Sequence, residues 1–136
     1  MPFQDCICFR LGKTVRNVTR AYRRAIAAYG LTHGQFFLIV AIIEQEGLLP
    51  SELAEKTVQD RPTITGLLDR LEKDAWIERK PDPSDRRSLR IYLGARGNDN
   101  KAAILKLFEN TNQKFLDRFS KTEWKQMQSF LVRLER

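Results

Sequence analysis

From Arg61 to Leu71 the chain reads Arg-Pro-Thr-Ile-Thr-Gly-Leu-Leu-Asp-Arg-Leu, and its small polar residues are spaced for recognition rather than catalysis. Ile64, Leu67, Leu68, Leu71 and Ala75 recur at helical spacing and predict a buried stripe. Pro62, Thr63, Thr65 and Gly66 fall off that stripe, onto the face the helix would show to a partner. Small side chains permit close approach in a major groove about 12 Å wide, and hydroxyls can bond base edges or phosphate oxygens. The free amides of a helix N-terminus favour the same phosphates. Arg61 and Arg70 flank this surface. The plainer alternative is that the threonines merely occupy a weakly helical first turn, where such residues are favoured anyway.

A second cluster follows. In Pro81-Asp82-Pro83-Ser84-Asp85-Arg86-Arg87, prolines stiffen a charged loop that ends in adjacent arginines. Arginine is the side chain that inserts into a narrow, electronegative minor groove. Asp85 beside Arg86 and Arg87 reads as an organiser that pairs with an arginine and shapes the loop. A solvated charged turn is the alternative.

Other chemistry is weakly supported. Cys6-x-Cys8 with one distant histidine, His33, does not make a four-ligand zinc set, and no metal or cofactor is expected. A lone histidine, with no nucleophile motif, no Gly-rich phosphate loop and no paired carboxylates, argues against an enzyme.

The elements that must position these residues are mostly helical. Leu11, Val15, Val18, Tyr22, Ala25 and Tyr29 alternate steps of four and three, a heptad-like seam on a helix that Gly30 should end. Thr32 and Gln35 form a capping box, with Leu31 and Phe36 at the staple positions. The run Phe36–Ile43, apolar on every side, predicts a helix buried all round. A short helix is expected over Pro50–Thr57, and a second, capped by Asp60, from Arg61 to about Asp74. Strands over Trp76–Lys80 and Leu89–Leu93 around a Pro81–Ser88 loop predict a hairpin. After a break at Gly94–Asn98 comes a long helix to Phe119 with the seam Leu105, Phe108, Asn112, Phe115 and Phe119. A last helix capped by Ser120 and Glu123 should carry Trp124, Met127, Leu131 and Leu134 on one side.

With 136 residues this is one domain's worth of chain. A net charge of +7 and a pI near 9.7 point to a polyanionic partner, nucleic acid or an anionic membrane surface. The longest apolar run falls far short of the ~20 residues a bilayer span needs. The first helix has an apolar seam too narrow for deep insertion at a membrane surface. No export signal is read at the N-terminus, and two cysteines so close in sequence cannot staple a fold, so a cytoplasmic location is expected.

Leu31-Thr32-His33-Gly34-Gln35-Phe36, Ser51-Glu52-Leu53-Ala54, Thr63 to Glu72, Arg79 and the Asp82-Pro83-Ser84-Asp85-Arg86-Arg87 segment together resemble the MarR (multiple antibiotic resistance regulator) family, in register from about Cys8 to Gly97. The resemblance implies a mainly α fold with a small β-hairpin wing. A winged helix-turn-helix would cover about 32–93, with dimerisation helices at about 5–30 and 98–136. It implies a homodimer reading a palindromic operator in double-stranded DNA, with repression relieved by a small-molecule effector or oxidant bound between the modules. Thr63, Thr65 and Arg70 would then contact DNA, Arg86 and Arg87 would be the wing contacts, and Asp85 the wing organiser. Cys8 resembles the sensing cysteine of peroxide-responsive members, and Tyr22 matches one of their tyrosines, while Gly12 and His33 replace others. An inert cysteine is the commoner case. A winged helix serving only protein contacts would lose the wing arginines and the small polar helix face, which this sequence keeps. Three departures stand out: Leu49 where a hydroxyl cap is usual, Gly94 in place of another hydroxyl, and Ala75 where glycine is usual.

Overall fold

The computed structural model describes residues 1–136. Its helices are α1 (Ile7–Ile26), α2 (His33–Glu44), α3 (Pro50–Thr57), α4 (Arg61–Lys73), α5 (Ala95–Leu116) and α6 (Lys121–Leu134). Strands β1 (Ile77–Asp82) and β2 (Asp85–Leu93) form one antiparallel hairpin between α4 and α5.

Helix α2 is the centre. Thr32 Oγ1 accepts the Gln35 N–H at 3.2 Å while Gln35 Oε1 accepts the Thr32 N–H at 2.9 Å, the reciprocal box its spacing predicts. Phe36, Leu38, Ile39, Val40, Ala41 and Ile42 are all buried, so the helix is covered on nearly every side by α1, α3, α4, α5 and β2. Gly30, at φ 67°, turns the chain from α1 into α2 after a 3₁₀ turn at Ala27–Tyr29.

Helix α3 begins at Pro50 without a side-chain cap on Leu49, but Glu52 Oε1 accepts the Leu49 N–H at 2.9 Å, so half of a capping box remains. Asp60 Oδ1 accepts the Thr63 N–H at 2.8 Å and opens α4. This bond, with that of the Thr63 hydroxyl, holds the Asp60 carboxyl below its ordinary range. Ile64, Leu68 and Leu71 anchor α4 in the core. Ala75 keeps the left-handed turn that glycine would take there, at φ 62°, a conformation that costs an L-residue about 1 kcal/mol. The turn therefore survives the substitution.

Three expectations are corrected. The hairpin loop is not Pro81–Ser88: pairing runs from Ile77↔Leu93 to Asp82↔Asp85, leaving only Pro83 and Ser84 between the strands. Asp82 Oδ1 closes that turn by accepting the Ser84 N–H at 3.0 Å and its hydroxyl at 2.8 Å. Trp76 precedes the strand and is buried in the core. Helix α5 starts at Ala95, not after Asn98, because Gly94 already serves as its N-cap.

The terminal seams also differ from the sequence pattern. In α1 the buried residues are Tyr22 and Ile26, while Leu11 and Val15 are 40% and 60% exposed. In α5 the inward polar residue is Thr111, not Asn112, in a stripe with Ile104, Phe108 and Phe115. Helix α6 buries no residue at all.

Candidate nucleic-acid interface

The winged part presents α4 and the hairpin as one rigid unit. Arg79 on β1 reaches back to α4, with Nη2 2.8 Å from Asp69 Oδ1 and Nη1 3.2 Å from Glu72 Oε1, and its N–H donates to Glu72 Oε2. β2 is tied to the chain entering α3. The Gly47 N–H donates to the Ile91 carbonyl at 2.7 Å, the Ile91 N–H to the Leu48 carbonyl at 2.9 Å, and the Leu93 N–H to Glu46 Oε1 at 2.7 Å. A helix held this way can offer its free face without moving.

That face carries the residues singled out by the sequence. Arg61, Pro62, Thr63, Thr65, Gly66 and Arg70 are all exposed. The structure divides them by helical phase. Thr63, Gly66 and Arg70 line a cleft of about 500 Å³ with Thr32 and Gln35 at the start of α2, and Pro62 joins them. Arg61 and Thr65 take the other flank, in line with Asp69 and Glu72 beneath the hairpin. The Thr65 hydroxyl donates to the Arg61 carbonyl at 3.0 Å, which leaves its lone pairs outward.

Charge pairing sharpens the surface. Of the nine Lys and Arg residues between 31 and 93, Lys56, Arg79, Lys80, Arg87 and Arg90 make ion pairs. Arg61, Arg70, Lys73 and Arg86 make none. Lys73 was missed by the sequence reading, although its spacing from Gly66 and Arg70 puts it on their face. Arg87 is held only loosely, 3.5 Å from Asp85 Oδ1, and its side chain is 95% exposed.

Asp85 accepts the Arg87 N–H at 3.1 Å and the Ser88 hydroxyl at 3.4 Å. The more deeply set organiser is one the sequence reading did not name. Asp82, only 8% exposed, closes the turn through Ser84 and accepts from Arg90 Nε at 2.9 Å. Arg90 Nη1 donates in turn to the Gly47 carbonyl at 2.7 Å. The Ser84 amide, its hydroxyl and then Arg90 hold the Asp82 carboxyl below the ordinary range.

The remaining candidates lie elsewhere. Cys8 is an exposed free thiol in the first turn of α1, with Cys6 at the N-cap. Tyr22 is buried about 21 Å further along the same helix, so the two cannot meet within one chain. Burial pushes the Tyr22 hydroxyl up from its ordinary range. No cluster of His, Cys, Asp and Glu could hold a metal ion, and no single helix is long and apolar enough to cross a membrane.

Two short helices followed by a hairpin locked to the second define a winged helix-turn-helix. Residues 31–89 match the model of the MarR family, and the chain belongs to it. It is 33% identical over 98 residues to the HTH-type transcriptional regulator TtmR of Methylorubrum extorquens, 72% of this chain and 50% of TtmR. It thus spans half the length of that relative. Crystal structures agree over nearly the whole chain. The transcriptional regulator SlyA, 28% identical, superposes with a TM-score of 0.84 over 96% of this chain and 92% of its own. CouR from Rhodococcus jostii RHA1, solved with bound p-coumaroyl-CoA, is 26% identical with a TM-score of 0.83, over 96% and 92%.

Gly66 offers a direct check that the α4 face is free. Nothing lies within 4 Å of a Cβ added there. Gly66→Ala is expected to stabilise the protein by about 0.5–1 kcal/mol, the helix-propensity gain alone. Urea denaturation reads it; a loss of stability would mean the face is occupied within the protein.

Proposed function

We propose that the protein is a homodimeric transcriptional repressor whose two winged parts read a palindromic operator in double-stranded DNA. The observation that carries this reading is the exposed small-residue face of α4, bounded by four uncommitted cations and fastened to the hairpin. Thr63, Gly66 and Arg70 enter the major groove with Pro62 and Lys73, and Arg61 and Thr65 face the flank beneath the wing. Arg86 and Arg87 contact the minor groove, and Asp82 and Asp85 shape the turn that carries them. Dimerisation uses the terminal helices. Ile7 and Val15 on α1 and Phe130, Val132 and Leu134 on α6 are each more than half exposed, apolar surface that a second copy would cover.

Release is by a small molecule. A cleft of about 400 Å³ lies between α2, α3 and α5, with Phe37, Val40, Lys56, Gln59 and Phe108 among its walls. Its size is that of a ligand site, and Gln59 Oε1 is buried there without a hydrogen-bond partner. A ligand in it touches both the winged part and α5, the two bodies whose angle sets the spacing of paired recognition helices. The CoA thioester held by CouR supports the idea of a regulator of this fold answering to a small molecule.

Selection from genomic fragments tests the reading. A palindrome with half-sites about one helical turn apart should be enriched. Binding with no sequence preference would overturn it. On that operator, Arg86→Ala and Arg87→Ala should each cost about 1 kcal/mol of affinity, roughly fivefold, with little change in Tm. Unchanged affinity in both variants would remove the wing from the mechanism.

A further inference from the structure

The positive charge of this protein is not where its winged helix-turn-helix is. Residues 31–93 carry nine Lys and Arg against eleven Asp and Glu, a net charge of −2. Residues 1–30 carry six against one, and residues 94–136 nine against five. The whole excess therefore sits on the terminal helices, most densely on α1. That helix contains Arg10, Lys13, Arg16, Arg20, Arg23 and Arg24 and no acidic residue.

These six cations form a face. Their steps of three and four place them along one side of α1, opposite Val18, Tyr22 and Ile26, which pack against the core. All six are exposed, and none makes an ion pair. Like charges three and four residues apart destabilise a helix by a few tenths of a kcal/mol per pair. So dense a stripe, with nothing beside it to neutralise it, is a cost to the isolated fold and suits an external polyanion.

We propose that the basic face of α1 binds a second segment of duplex DNA, beyond the operator seated on α4 and the hairpin. The inference rests on the DNA-binding reading above. From Arg10 to Arg24 the stripe is about 21 Å long at 1.5 Å per residue. Duplex DNA presents one charge per ~1.7 Å of axis, so a segment as long as the stripe carries about a dozen phosphates, several of them on the near side, more than a small anion offers. Five of the six cations are arginine, whose planar fork takes phosphate oxygens in pairs. A membrane surface fits less well, because the latter half of the apolar side of α1 is packed on α2 and α5 and only Ile7, Leu11 and Val15 remain exposed to insert. The terminal helices of a second copy fit less well too, since residues 94–136 are themselves net +4. The DNA engaged is either the flank of the same operator molecule or a separate duplex.

The test compares wild type with the triple variant Arg16→Gln, Arg20→Gln and Arg23→Gln on two duplexes. One is only the operator, ~20 bp, and the other carries the operator in DNA about three times as long. Salt titration on the long duplex should show a log–log slope shallower by about 3 per protomer for the variant. On the short duplex, affinity and slope should match wild type. The corresponding Arg→Lys triple should restore the steep slope, and an unchanged Tm certifies both folds. Capture of a free short duplex by wild type already bound to an immobilised operator identifies a separate duplex. A length effect without capture identifies the flank. Equal slopes for variant and wild type on both lengths, with no capture, would overturn the inference and leave operator reading intact. Failure of wild type to bind even the short duplex would instead remove the DNA reading, and this inference with it.

Discussion

Gly97→Ala is expected to lower stability by about 3 kcal/mol and Tm by on the order of 10 °C, the opposite sign to Gly66→Ala. Both glycines lie inside α-helices, where replacement by alanine normally gains up to about 1 kcal/mol. Space decides between them. A Cβ on Gly97 would stand 2.3 Å from the Trp76 carbonyl oxygen and 3.1 Å from Leu93 Cδ2. The first of these is backbone and cannot swing aside, and it already accepts the Gly94 N–H at 2.9 Å. Relief requires α5 to lift from the base of the hairpin. That base is where Trp76, 1% exposed, packs edge-on to Tyr29 with ring centroids 6.0 Å apart and lies under the Arg96 guanidinium. Urea denaturation at fixed protein concentration measures the effect, the concentration being held because an oligomer's apparent stability depends on it. A Gly97→Ala protein as stable as wild type would mean that α5 and the hairpin do not meet as closely as described.

The parts of this molecule that could be read from the sequence are those set by neighbours in the chain. The Thr32–Gln35 and Ser120–Glu123 boxes, the Asp60 cap and the buried Ile64, Leu68 and Leu71 of α4 all follow from spacings of three and four residues, whereas Ala75, expected on the same stripe, lies beyond the helix and is exposed. The length of the wing turn did not follow, because a Pro- and Asp-rich stretch reads as loop until Asp82 is seen to bond Ser84. Periodicity also could not say which half of a stripe is covered. Leu11 and Val15 continue the α1 pattern as well as Tyr22 does, yet only the latter half meets α2 and α5. In the candidate site, the exposed face of α4 was legible because spacing along one helix sets which residues it carries. The Asp82–Arg90–Gly47 fastening was not, since Arg90 and Gly47 are 43 residues apart and only the fold brings them together. The net charge of +7 misled in one respect. It suggested a polyanion facing the winged part, but the excess of cations lies outside that part.

That fastening carries the second large effect. Arg90→Ala should lower operator affinity by about tenfold or more, beyond either Arg86→Ala or Arg87→Ala, although Arg90 itself need not touch DNA. The side chain joins two bodies: Nε holds Asp82 at the tip of the hairpin, and Nη1 holds the Gly47 carbonyl ahead of α3 at 2.7 Å. Without it the turn still closes through Ser84, but the hairpin tip loses its tie to the helix-turn-helix. Arg86 and Arg87 must then be ordered at the moment of binding, and that entropy comes out of affinity. Arg90→Lys keeps the charge but not the fork, so it can serve only one of the two acceptors and should fall between. The pH dependence follows from the Asp82 carboxyl. Because the Asp82 carboxyl is held below its ordinary range, its contribution is complete above the unfolded pKa and is lost as pH falls through the lower, folded value. Across the neutral range the deficit of Arg90→Ala should therefore be constant, and amide exchange at Ser84 to Ser88 should be faster than in wild type at every such pH. Operator affinity equal to wild type, with unaltered exchange in the turn, would show that the hairpin stands without Arg90 and that Arg79 alone sets its place against α4.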